Sequence, residues 1–307
     1  MATVTHLTME AGGLRLANIL SQEIALQLAD RASIRTSGAV TYYGSVAGNG
    51  SDTLNVRVAG LDGYDTMAAV ADGADLTGSE DITSSSVSIA VARYALRRDL
   101  SDIVEFTGMG GGDITVQRLA ASAVGEAEKC FMGLVGTAIA GFGTDVGTAS
   151  AAMGVDDFFS ATAQLEETSN VGPFYCLLKP QQLTQLQSSL RAEAGALQWM
   201  PATAELLKIK PQGYVGSFLN VDVFASASVD TTGTVHSGGM WAAGCLGWAD
   251  AQPVIGFGDT IRPSGSPVTV ELQRDASAAL TECISSLYAG VSVIQDGMGV
   301  GITTLSS

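Results

Sequence analysis

Residues 113–141, DITVQRLAASAVGEAEKCFMGLVGTAIAG, limit the possible folds more than any other stretch of the chain. Leu119, Ala123, Ala127, Cys130, Leu134 and Ala138 recur at the three- and four-residue steps of one helix face, which predicts a helix of about eight turns. Asp113 stands where an N-cap belongs and Gly141 where a helix stops. Gly125, Gly133 and Gly136 inside it each cost about 1 kcal/mol relative to alanine. A helix this long and this rich in glycine has to be bent or closely covered by other chain.

A length of 307 residues suits about two domains. The formal net charge of −16 opposes the phosphate-neutralising surface that a nucleic-acid binder needs. A positive mean hydropathy suggests apolar surface buried against partners as well as inside the fold. No stretch approaches the ~20 apolar residues of a membrane helix, so no membrane partner is expected. The N-terminus lacks the basic and apolar regions of a signal peptide, which places synthesis in the cytoplasm. Cys130, Cys176, Cys245 and Cys283 lie far apart among apolar neighbours, the pattern of reduced, buried thiols rather than of a disulfide framework or a CxxC metal site.

Residues 14–34 carry Leu16, Leu20, Ile24 and Leu28 at helical steps. Little local chain is available to cover that face, so the helix reads as an arm that packs on a neighbouring body. Residues 53–58 and 86–96 alternate apolar with polar, the period of half-exposed strands. Between them lies a Gly-, Asp- and Ser-rich stretch that cannot make its own core. The two strands and this tip predict an extended hairpin, an excursion that is usually functional. Its acids Asp62, Asp65, Asp72, Asp75, Glu80 and Asp81 either meet basic side chains or a divalent ion on an adjacent subunit, or simply form a solvated tip that resists aggregation.

Further on, Val155–Thr168 reads as a helix opened by acids, and Phe174–Leu178 as a short strand. Pro180 stands as a first helical residue, with Leu183, Leu186 and Leu190 as one face and Gly195 as the stop. Strands over 218–224 and 240–249 continue a compact α/β body. Pro263 and Pro267 mark the exit, and residues 268–274 and 283–294 supply late strands.

Chemistry is sparse. The run Gly108-Met109-Gly110-Gly111-Gly112-Asp113 puts an acid where a dinucleotide fingerprint needs its third glycine. His6 lies in the tail and His236 in a turn-like Thr/Gly/Ser context, and neither is spaced as a metal ligand. The run 263–267, PSGSP, is not a nucleophile elbow. No catalytic, cofactor-binding or metal-binding residues are expected, and the chain does not read as an enzyme.

The succession of arm, long hairpin with Val70-Ala71-Asp72-Gly73 in its middle, the step Asp99-Leu100-Ser101-Asp102 and the long helix resembles the tailed-phage major capsid proteins of the Hong Kong 97-like fold family. Gly213-Tyr214-Val215-Gly216, Val221-Asp222-Val223, Ser226 and Val229 are similar to a recurring segment of that family. Arg274-Asp275, Leu287-Tyr288-Ala289-Gly290 and Val300-Gly301-Ile302-Thr303 resemble its ending. The resemblance lies in the order of these motifs over nearly the whole chain.

It implies an α+β fold with an N-terminal arm at 1–48, an extended E-loop at 49–92 and a P-domain at 93–150 with its spine helix at 113–141. An α/β A-domain at 151–266, P-domain return strands at 267–292 and a C-terminal A-domain segment at 293–307 would follow. The implied function is an icosahedral virion shell of hexamers and pentamers around double-stranded DNA, bound without sequence specificity and assembled in the host cytoplasm. Leu16, Leu20, Ile24, Leu28 and the six hairpin acids are the expected contacts between subunits. The implied partners are a portal, a scaffold that is expected as a separate chain since the arm begins almost at Met1, and, in a shell without covalent cross-links, a cement protein. An encapsulin-type cargo compartment and an acidic α/β enzyme are the alternatives.

Some members of the family weld their shells by joining an E-loop lysine to a neighbour's asparagine. The first lysine here is Lys129, far beyond the hairpin. Assembled particles are therefore expected to run as a single monomer band in denaturing electrophoresis; a ladder of covalent multimers would contradict this.

Overall fold

The computed structural model describes residues 34–59, 72, 84–101, 112–168, 172–192, 200–201, 213–229, 231–232, 235–251, 260–261 and 268–305. In chain order the elements begin with β1 (Thr41–Ser45), β2 (Thr53–Ala59), β3 (Ser84–Ala90), β4 (Ala92–Ser101) and helix α1 (Gly112–Ile139). Then come β5 (Asp145–Val146), α2 (Val155–Thr168), β6 (Phe174–Leu178), α3 (Pro180–Ala192), β7 (Met200–Pro201), β8 (Tyr214–Phe218) and β9 (Val221–Ala225). The last are β10 (Thr231–Thr232), β11 (Val235–Ala242), β12 (Leu246–Asp250), β13 (Thr260–Ile261), β14 (Val268–Asp275), β15 (Leu280–Val293) and β16 (Gly299–Leu305).

Among the described residues the strands form three sheets. An eight-stranded sheet runs β5-β16-β11-β6-β9-β8-β7, with β10 on β11. A six-stranded sheet is built on the long strand β15, which carries β4 along one edge and β14 then β12 along the other. Ala289 shows the arrangement, pairing with Ala92 on one side and Asp250 on the other. The third sheet is the β2–β3 hairpin alone.

Helix α1 lies between the two large sheets. Val124, Phe131, Val135 and Ile139 are buried with Tyr175, Leu177, Phe224 and Trp241 of the eight-stranded sheet and with Trp248, Val268, Leu287 and Ala289 of the six-stranded one. The stripe expected from sequence is offset from the one found. Ala123 and Ala127 are buried, but Cys130, Leu134 and Ala138 are only half-buried, because a helix covered on two flanks buries more than one narrow face. The helix starts at Gly112, so Asp113 lies inside its first turn rather than at the cap.

On the far face of the eight-stranded sheet, α2 and α3 cover a second core that includes Phe158, Leu165, Leu186, Phe218 and Ile302. Strand β6 is buried on both faces, with Tyr175 and Leu177 toward α1 and Phe174, Cys176 and Leu178 toward α2 and α3. Both helices have side-chain caps. Asp157 reaches back to accept the Gly154 N–H at 2.9 Å, and Gln182 accepts the Lys179 N–H at 3.0 Å ahead of Pro180.

Several expected strands are divided. The run 86–96 breaks at Val91, where the chain leaves the hairpin and joins the six-stranded sheet; the alternation continues through the break because only the partner changes. The segment 218–224 takes in the end of β8, a turn at Leu219 and Asn220 with φ 51 and 63, and most of strand β9. The run 240–249 falls into two sheets, β11 in one and β12 in the other. His236, expected in a turn, is a buried residue of β11 whose Nε2 lies 2.8 Å from Gln181 Oε1.

Gln182 is wholly buried and ties the start of α3 to two strands. Its Nε2 donates to Thr304 Oγ1 at 2.8 Å, Ile302 O at 3.2 Å and His236 O at 3.3 Å. Gln182→Met keeps the volume and strips these bonds, and is expected to cost about 2 kcal/mol through orphaned buried groups. Urea unfolding measures this, and an unchanged midpoint would show that the network carries no net stability.

Candidate assembly surfaces

Three parts of this scaffold hold or adjoin the candidate assembly residues. The first is the β2–β3 hairpin, a ladder from Thr53↔Ala90 at its root to Ala59↔Ser84 toward its tip. Leu54, Val56, Val58, Val87 and Ile89 share one side, and Asn55, Arg57, Ser86 and Ser88 the other. At the root Val56 and Ile89 are buried against Ala249 and Ile294. Farther out Val58 and Val87 are only half-buried. Of the acids singled out in the hairpin, Asp72 is exposed in a turn, while Asp62, Asp65, Asp75, Glu80 and Asp81 lie outside the described residues.

The second is the chain on which the N-terminal residues are rooted. Leu16, Leu20, Ile24 and Leu28 lie outside the described residues, but 34–48 do not behave as a free arm. Ile34, Ala39 and Val40 are core residues, and β1 pairs in parallel with β12. Trp241 donates its indole N–H to Ala39 O at 2.7 Å, and Tyr175 its hydroxyl to Ser37 O at 3.3 Å. The sequence signal for this was weak, because a short strand paired with a partner some 200 residues away has no local signature.

Arg35 secures the same root. It forms an ion pair with the buried Glu128 of α1 at 3.5 Å, and its guanidinium sits 5.8 Å from the Trp248 ring centroid. Burial pushes the Glu128 carboxyl above its ordinary range, and the Arg35 charge pulls it part of the way back.

The third is strand β4. Ala92 to Asp99 are all exposed, and its outer edge has no strand partner among the described residues. Tyr94 and Leu96 flank a half-open groove of about 220 Å³ whose other wall is Ala123, Glu126, Ala127 and Cys130 of α1. The strand is not a free cationic strip. Arg97 grips Asp99 twice, at 2.7 and 3.2 Å, and reaches Glu282 at 2.7 Å, while Arg98 lies 3.8 Å from Glu126. The solvent-facing pairs add little stability, but they occupy Arg97 and Arg98 within their own subunit.

The four cysteines are free, three buried and Cys130 half-buried, and burial raises each thiol above its ordinary range. Among the described residues no group of three or more His, Cys, Asp or Glu is placed to hold a metal ion. Among them, too, no helix is long and apolar enough to cross a membrane.

No family model and no curated protein matches the sequence. Solved structures do match in fold. The chain is similar to the capsid of the cyanophage P-SCSP1u at 16% identity, over 90% of this chain and 89% of that chain, with a TM-score of 0.55. It is similar to the head structure of Helicobacter pylori bacteriophage KHP40 at 14% identity, over 91% and 88%, with a TM-score of 0.56. It is also similar to the holo-SrpI encapsulin complex from Synechococcus elongatus PCC 7942 at 13% identity, over 88% and 85%, with a TM-score of 0.59. The mixed helix and sheet fold is thus one found in phage capsids and encapsulin shells, and it extends over almost the full length of both chains.

Arg35→Gln leaves Glu128 buried without its cation. The folded-state pKa of Glu128 lies above the unfolded value, so the stability it contributes is full below the unfolded value and is lost as pH rises through the folded one. Without Arg35 that pKa rises further, and the variant should lose about 3 kcal/mol at pH 7 and clearly less near pH 5. Urea midpoints at both pH values check this; an equal loss at each would mean that Glu128 does not feel Arg35.

Proposed function

We propose that this chain is the major capsid protein of a tailed phage, which self-assembles through hexamers and pentamers into an icosahedral shell around double-stranded DNA. The observation that carries the reading is the hairpin: a two-stranded sheet held at its root by its own subunit, with half-buried valines farther out, on a fold similar to a phage capsid over 90% of this chain. In this reading the hairpin is the E-loop and the residues before Ile34 are the arm. The six-stranded sheet with α1 is the P-domain, and the eight-stranded sheet with α2 and α3 is the A-domain.

Each subunit touches several neighbours, so individually modest contacts add up. Heterologous contacts that close on themselves give rings. Leu16, Leu20, Ile24 and Leu28 of the arm, and Asp62, Asp65, Asp72, Asp75, Glu80 and Asp81 of the E-loop, are the proposed contacts with neighbours. Arg97 and Arg98 of β4 are already paired with acids of their own subunit, so the hairpin acids meet other cations or remain in solvent. The high negative charge suits a container whose nucleic acid is enclosed rather than gripped. A portal and a separate scaffold are the proposed assembly partners. The chemistry is association alone, with no catalytic step.

The likeness to an encapsulin favours a second reading, a shell that encloses protein cargo. Purified chain examined by size-exclusion chromatography and negative-stain electron microscopy is expected to yield rings or closed shells. A stable, solitary monomer at high concentration would overturn both readings. Particles isolated from the native source separate the two by their contents, packaged double-stranded DNA or a protein cargo.

A further inference from the structure

We infer that Gly290 is the positioning residue that aims the β2–β3 hairpin, by letting the backbone at the end of β3 lie directly on strand β15. This rests on the hairpin's role in assembly proposed above and adds how its direction is set. Residues of β15 alternate between the two faces of the six-stranded sheet. Leu287, Ala289, Val291 and Val293 face α1 and the main core. Gly290 faces the other way, paired with Ala249 of β12, which packs under the hairpin residues Val56 and Ile89. The hairpin root therefore sits on the face of the sheet opposite the helix.

The contact at Gly290 is backbone against backbone. A Cβ placed there would run into the Ala90 carbonyl oxygen and come within 2.8 Å of its carbon and 3.2 Å of Val91 Cα. No flexible side chain is available to move aside, so a methyl group displaces the chain where β3 becomes β4. That point is the pivot of the hairpin. It is held from the other strand as well, since Val91 N–H donates to Asp52 O at 2.9 Å. Ala92, the next residue, is already in register with Ala289. One residue thus separates a strand fixed in the sheet from a strand that leaves it. A rigid root at this place makes the hairpin's direction a property of the single chain, set before any neighbour is met.

The test is a distance between hairpin and body in unassembled protein. Spin labels are placed on Asn55→Cys and Ser277→Cys, both exposed sites, in a Cys130→Ser background. The wild-type root is expected to give one narrow distance distribution, the same before and after assembly. Gly290→Ala should shift that distribution by more than its width and abolish wild-type-sized shells, while circular dichroism shows the two large sheets intact. A broad distribution with Gly290 present would overturn the inference, as would an unchanged distance and normal shells in Gly290→Ala. If the variant does not fold, the width measured with Gly290 present decides the question. If the wild-type chain never assembles, the proposed function fails while the distance measurement still decides the role of Gly290.

Discussion

The interaction on which the rest depends is the burial of α1 between two sheets. Neither large sheet is closed, and each would expose an apolar face without the helix. The helix supplies Phe131 to the Trp248 ring, edge to face with centroids 5.4 Å apart, in the cluster it shares with Trp241. Burying large side chains of this kind contributes about 1.5–3 kcal/mol each, which offsets the cost of the glycines in its interior. Close packing does not demand the glycine at 133, since a Cβ there would meet Ser228 at ordinary contact distance. The same sandwich fixes where the chain root at Ile34 and the strand β4 can lie, since both rest on the helix or on the sheets it joins.

From that frame the contact surfaces follow. The hairpin leaves the six-stranded sheet on the side away from the helix, and β4 borders the helix on its near side. The hairpin and β4 therefore stand on opposite faces of one sheet, and in the proposed shell they would meet neighbours in more than one direction. The ion pairs along β4 have a separate consequence. By matching Arg97 and Arg98 with acids of the same subunit, they keep an open strand edge charged without making it sticky toward an acidic protein.

Much of the fold was legible in the sequence wherever local chemistry and burial agree. The bounds of α2 could be read because Asp156 and Asp157 open it and Phe158, Ala161 and Leu165 repeat at helical steps. Pro180 announced α3, and the unbroken apolar run of β6 announced a strand buried on both faces. What could not be read depends on partners distant in sequence. Nothing local at Val91 says that the chain changes sheets there, and nothing in 41–45 says that it will lie beside β12. The division between β11 and β12 did leave a signal, Gly244, whose φ of 91 suits a turn between strands. Of the candidate contacts, the acids of the hairpin were visible as composition only. The position that sets its angle was hidden inside a motif whose glycine acquires meaning only when Ala90 is seen above it.

The hairpin's two sides differ, one carrying Leu54, Val56, Val58, Val87 and Ile89 with Ser85, the other mostly serine, threonine, asparagine, arginine and alanine. Such a ribbon has an upper and a lower surface, and no rotation within its plane exchanges them. A layer tiled from these pieces inherits that polarity everywhere at once. Anything laid against such a layer meets an apolar surface on one side and a polar one on the other.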